Sequence, residues 1–136
     1  MKPALIDTDI LSLFLRGNLP VTTRFGQYLS QYPTIVFSVI TYYEIISGLK
    51  HRDAKKQLSG FLAFAAQSTI APLSESSVLI SADIYAELRQ KGTPVDDIDL
   101  LIAGIALAEK RILVTHNRKH FDRIPALSVE DWSSAG

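Results

Sequence analysis

Asp7, Glu44 and Asp99 lie in three separate stretches of the chain, each next to a short apolar run. Asp7 ends the run Ala4-Leu5-Ile6, Glu44 follows Thr34-Ile35-Val36-Phe37, and Asp99 opens the helix pattern that leads into Ile112-Leu113-Val114-Thr115. Three carboxylates converging in a chain without cysteine make a hard-oxygen site, suited to magnesium or manganese rather than zinc. Like charges held close repel and shift one another's pKa values, so such a trio implies a cation. Magnesium keeps several waters and binds phosphate oxygens, which makes phosphoryl or phosphodiester transfer the natural chemistry. Asn117, just past Thr115 and His116, is a fourth polar candidate. Each residue also has a plainer use. Asp7 can cap a helix, and Asp99 can sit near the helix dipole after an Asp96 cap. Asn117 can serve a turn, and Glu44 can face solvent. Glu44 has the mostly small or polar neighbours Ile40, Thr41, Ser47 and Gly48, apart from the bulkier stripe Tyr42, Ile45, Ile46 and Leu49, which also fits a shallow groove.

The elements that must position these residues follow from periodicity. Ala4–Ile6 reads as a buried strand, and Ile10, Leu11, Phe14 and Leu15 recur at helical spacing up to Gly17. A second helix is predicted over Val21–Gln31, and a strand over Thr34–Phe37. Ser38 is a good cap for a helix over Val39–Leu49. Another helix spans Asp53–Gln67, then a strand Thr69–Ala71, and a long helix runs from Ser74 to Lys91. Ile98, Leu101, Ile102 and Ile105 form a helical stripe. Ile112–Thr115 is a strong strand, followed by a helical turn over Arg118–Phe121 and a last strand near Leu127–Val129. Strands alternating with crossover helices predict one α/β domain over residues 1–136, with a central parallel β-sheet of four to five strands flanked by helices. In open parallel sheets ligands bind beyond the carboxyl ends of the strands, where all three acids can reach.

Composition narrows the class further. The chain has 136 residues, 47% of them hydrophobic, with no cysteine and a net charge of zero. One domain of this size buries roughly two-thirds of its unfolded surface and needs no disulfide. No apolar run approaches the ~18 residues of a membrane span, and no secretory leader is expected. A membrane role is therefore not expected, and a reducing cytoplasm is. A neutral chain is not a general polyanion coat. Nine of its fourteen Lys and Arg instead gather in two windows, Lys50, Arg52, Lys55, Lys56 and Lys110, Arg111, Arg118, Lys119, Arg123, which also hold His51, His116 and His120.

The segments ALIDTDILSLFL, TYYEIISGL and DIDLLIAGIAL, followed by ILVTHNRKHFDRIPALSVEDW, resemble the PIN-domain ribonucleases, and among them the VapC-type toxins of toxin–antitoxin pairs. The similarity runs in order from Ala4 to Trp132. It implies a PIN-like fold and a magnesium-dependent (alternatively manganese-dependent) endoribonuclease that cuts cellular RNA, tRNA being one candidate. It also implies a VapB-type antitoxin as partner and a homodimer. By position, Asp7, Glu44 and Asp99 match the family's metal-binding acids. Asn117 falls where many PIN domains carry a fourth aspartate, which puts a permanent second metal in question. Thr8 and Asp9 match the residues around the first acid and are read as supporting groups or as helix-start chemistry. Asp96 and Asp97 are read as helix-start residues.

On this resemblance the two basic windows acquire a task, holding RNA phosphates on either side of the acids. The apolar surfaces around Leu11, Phe14, Leu15 and Phe61, Leu62, Phe64 offer area for the antitoxin or belong to the core. Two other classes share part of the pattern. Asp7-Thr8-Asp9 is similar to the opening of haloacid-dehalogenase-like phosphatases, although Leu11 departs from it. A non-enzymatic receiver-type signalling domain has a similar length and fold, but no aspartate ends the Ile70 strand.

Overall fold

The computed structural model describes residues 1–134. β1 (Ala4–Ile6) is wholly buried and ends at Asp7, whose carboxylate accepts the Thr8 N–H and so starts α1 (Thr8–Leu15). Gly17 leaves that helix at φ 80°, a conformation open to glycine at no steric cost. α2 (Leu19–Leu29) starts two residues earlier than its apolar pattern predicts. Pro20 lies in the first turn, where a missing N–H breaks no helical hydrogen bond. β2 (Val36–Ser38) includes Ser38, which also caps α3 (Val39–His51) by accepting the Thr41 N–H. α4 (Lys55–Ala66) and β3 (Thr69–Ala71) follow. α5 (Glu75–Gln90) opens with a reciprocal Ser74/Ser77 capping box. α6 (Asp97–Ala108) leads to β4 (Ile112–Val114), the short α7 (Arg118–Phe121) and β5 (Val129–Glu130). The last strand begins later than Leu127, because Leu127 closes a turn onto the Ile124 carbonyl.

Every strand pairing is parallel, as the alternating pattern requires. The five strands form two ladders, β1-β4-β5 and β2-β3, with β2 lying beside β1. The central sheet is thus split rather than continuous. From β1 the chain moves outward to β2 and β3, then crosses back through α5 and α6 to β4 and β5. The order reverses between β1 and β4, the place where open α/β sheets bind ligands at their carboxyl edge.

Period-two alternation assigns the sheet residues to its two faces. Ala4, Ile6, Phe37, Ile112 and Val114 join one core with residues of α1 to α4 and with Trp132. Leu5, Val36 and Leu113 join the other, with α5, α6 and Phe121 of α7. Both faces are covered, as parallel sheets demand. α5 and α6 approach closely at Gly104, where an added Cβ would collide with the Ser81 hydroxyl and the Ser77 carbonyl. The Ser81 hydroxyl, 2.7 Å from the Leu100 carbonyl, helps hold the start of α6 and with it Asp99. Among the described residues no helix is long and apolar enough to cross a membrane.

Candidate active site

Asp7 is 7% exposed and lies where β1 turns into α1. Its Oδ1 accepts the Thr8 N–H at 2.9 Å, and its Oδ2 accepts the Thr115 hydroxyl at 2.9 Å from the carboxyl end of β4. These donors are neutral, while Asp9 and Asp99 add negative charge nearby. Burial, and then Asp9, push the Asp7 carboxyl up to about 7, with a further rise from Asp99; the two hydrogen bonds pull against them. Burial also raises Asp9, although it accepts N–H groups of Ile10 at 2.7 Å and His116 at 3.1 Å. Asp9 therefore ties the start of α1 to the loop after β4, the supporting role open to it from sequence.

The three acids are joined through short polar links. Thr8 Oγ1 donates to Glu44 Oε1 at 2.6 Å. Its single hydrogen is then committed, so the Thr41 hydroxyl, 2.9 Å away, must donate to Thr8. In the other direction, Thr115 Oγ1 accepts the Asn117 N–H at 3.0 Å. The Asn117 carboxamide lies 3.0 Å from His120 Nδ1, which is 3.3 Å from Asp99 Oδ2. Burial raises the Asp99 carboxyl, and His120 opposes the rise. Glu44, Asp7, Asn117 and Asp99 thus sit on one run of polar contacts along the carboxyl edge. Thr115 and His120 were not singled out from sequence as site residues. The signals available were the place of Thr115 at the end of its strand and that of His120 in the second basic window.

Among the described residues, no three carboxylate or histidine groups close into a ready-made coordination shell. The donor set still fits a divalent cation. It is all oxygen, its central carboxylate is surrounded by like charge, and magnesium fills much of its own shell with water. Asp96 begins α6 but makes no side-chain cap, and Asp97 stays exposed.

A groove of about 540 Å³ leads away from Glu44 between α1, α3 and α4. Its walls carry Phe14, Leu15, Phe61 and Phe64, with Arg16 and Arg52 among the lining residues. The apolar surfaces noted from sequence divide here: Leu11 and Phe61 are buried in the core, while Leu15 and Leu62 are exposed. The second basic window also divides. Arg118, Lys119 and Arg123 follow the carboxyl end of β4, but Lys110 and Arg111 precede that strand and border a pocket with Lys2 and Pro3 at the opposite edge. That pair does not flank the acids.

Residues 4–127 match the PIN domain family. The chain is 32% identical over 134 residues to the tRNA(fMet)-specific endonuclease VapC of Shigella flexneri, covering 98% of this chain and all of that one. It is 36% identical over 107 residues to ribonuclease VapC2 of Rickettsia felis, covering 78% of this chain and 80% of that one. The fold superposes on a DNA-bound VapBC structure from Salmonella typhimurium with a TM-score of 0.86 at 29% identity, covering 97% of this chain and 99% of that one. The chain belongs to the PIN-domain family, among its VapC ribonucleases. Its class is that of a nuclease hydrolase, and neither the phosphatase nor the receiver reading draws support from these matches.

The buried Asp7 charge has a consequence for stability. The stabilisation that comes from keeping this carboxyl neutral is full below pH 3.8 and is lost as pH rises through about 7. Metal-free Asp7→Asn protein is therefore expected to be more stable than the parent at pH 8, by up to about 4 kcal/mol at ~1.4 kcal/mol per pH unit. The gap should close by pH 4. Urea unfolding of both proteins across this range checks it, and a gap that does not vary with pH would contradict the assignment.

Proposed function

We propose that the protein is a magnesium-dependent endoribonuclease toxin that cleaves cellular RNA, tRNA among its substrates, and is neutralised by a cognate VapB-type antitoxin. The observation that carries this reading is the buried Asp7 carboxylate, surrounded by like charge and linked through Thr8 to Glu44 and through Thr115, Asn117 and His120 to Asp99. Asp7, Glu44 and Asp99 would hold the metal, magnesium or manganese, which when bound would supply Lewis acidity toward the scissile phosphodiester and its attacking water. Thr8 and Thr115 fix the Glu44 and Asp7 carboxylates, and Asn117 closes the turn that carries Thr115. Arg118 and Lys119, beside Asn117, hold phosphates of the substrate strand.

The groove beside Glu44 suits the antitoxin. An apolar tail lies along Phe14, Leu15 and Phe64, and an arginine from it pairs with Glu44, Asp7 or Asp99 in place of the metal. A cytoplasmic location follows from such a substrate and partner. Val39 and Tyr43 on α3 and Leu79 on α5 remain exposed, leaving apolar surface for a homodimer.

Asp7→Asn, Glu44→Gln and Asp99→Asn each remove a ligand charge at nearly constant volume. Each is expected to lower magnesium-dependent cleavage of total cellular RNA by at least about 100-fold while circular dichroism stays unchanged. Near-parental turnover in Asp99→Asn would overturn the site. For the partner, an arginine-bearing antitoxin tail should bind more weakly as magnesium rises, because both compete for the same carboxylates. Titration of the tail at increasing magnesium checks this, and an affinity indifferent to the metal would place inhibition elsewhere.

A further inference from the structure

Asp99 is the one acid of the three whose carboxylate is held by a side chain of α7. Asp7 and Glu44 are fixed by hydroxyls and an N–H at the start of α1 and the end of β4. The Asp99 carboxylate meets one side-chain donor among the described residues, His120 Nδ1, 3.3 Å from Oδ2. No protein donor reaches its other oxygen among those residues. His120 itself is well placed to be rigid. It precedes Phe121, which is fully buried against α6 in the core under the sheet, so the one-turn α7 cannot rotate without exposing a phenyl ring.

The hydrogen count decides the tautomer. Nδ1 has either one hydrogen or one lone pair, and it faces both Asp99 Oδ2 and the Asn117 carboxamide. An ionised Asp99 accepts only, so the hydrogen must be on Nδ1. The structure places Asn117 Nδ2 3.0 Å from Nδ1; with the hydrogen on Nδ1, the amide makes a half-turn and presents its oxygen to the ring instead. Nε2 is left outside this network, on a side chain that is 46% exposed.

Resting on the metal-site reading above, we infer that His120 is a positioning residue for the cation: its Nδ1–H holds Asp99 Oδ2 and leaves the second oxygen free to coordinate. Hydrogen bonds to a ligating carboxylate fix its direction, and losing such a partner typically lowers metal affinity by about 10–100-fold. The role belongs to Nδ1 and not to the imidazole as a whole. Asparagine can place its amide nitrogen near the Nδ1 position, whereas glutamine places its nitrogen near Nε2.

The test is calorimetric titration of manganese into the parent protein and into His120→Ala, His120→Gln and His120→Asn, with the melting temperature of each taken without metal. His120→Ala and His120→Gln are expected to bind manganese about 10-fold more weakly or worse, and His120→Asn to recover most of the loss, all with melting temperatures close to the parent. Cleavage kinetics should follow the same order once manganese is subsaturating and converge as it saturates. Equal affinity in all four proteins would overturn the inference, as would equal losses in the glutamine and asparagine variants. A loss that tracks a fallen melting temperature would reduce His120 to a packing residue. If the parent binds no divalent cation, the metal-site reading itself fails, and this inference falls with it.

Discussion

A carboxylate buried at the end of a parallel strand, with no cationic side chain paired to it among the described residues, organises this molecule. Asp7 is placed there by the register of β1 on β4, in which Ile6 pairs with Val114 and the Asp7 N–H continues the ladder to the Val114 carbonyl. The same register brings Thr115 level with Asp7, so that its hydroxyl reaches the carboxylate. Side chains alternate faces along a strand, and a one-residue slip would swap the inward and outward sets of β4. The apolar alternation of Leu113 and Val114 between the two cores therefore also fixes the site. Burial and neighbouring charge raise the cost of ionising Asp7, and a divalent ion is the kind of group that offsets it.

From Asp7 the constraint spreads in two directions. Toward Glu44 it passes through Thr8 and Thr41, hydroxyls on two packed helices, and ends at a groove open to solvent. Toward Asp99 it passes through Thr115, Asn117 and His120 on the loop and single turn after β4, anchored by buried Phe121. α6 brings Asp99 to this edge because Gly104 lets it lie close against α5. The apolar groove and the acid edge adjoin at Glu44, so one partner can fill the first and compete at the second.

Much of this arrangement was legible in the sequence. Asp7 after a three-residue apolar run, Ser38 before a helix and the stripe from Ile98 to Ile105 each announce an element boundary, and the boundaries place the acids at one edge. What escaped has physical causes. The separation of the strands into two ladders depends on backbone hydrogen bonding that side-chain periodicity does not encode. The second basic window looks continuous, but β4 runs through it, sending Lys110 and Arg111 to one end of the sheet and Arg118, Lys119 and Arg123 to the other. Helix and strand starts moved by one or two residues where proline or a turn outweighed the apolar pattern. Thr115 and His120 acquire meaning only through distances across the β4–α7 turn.

The most direct measurement is anomalous diffraction from crystals of the protein soaked with manganese. The account predicts one strong peak beyond the carboxyl ends of β1 and β4, with oxygens of Asp7 and Asp99 at coordination distance and waters completing the shell. Glu44 should lie in that shell directly or through a water. Density at the pocket bordered by Lys2 and Lys110, or a manganese ion held without Asp7, would contradict it.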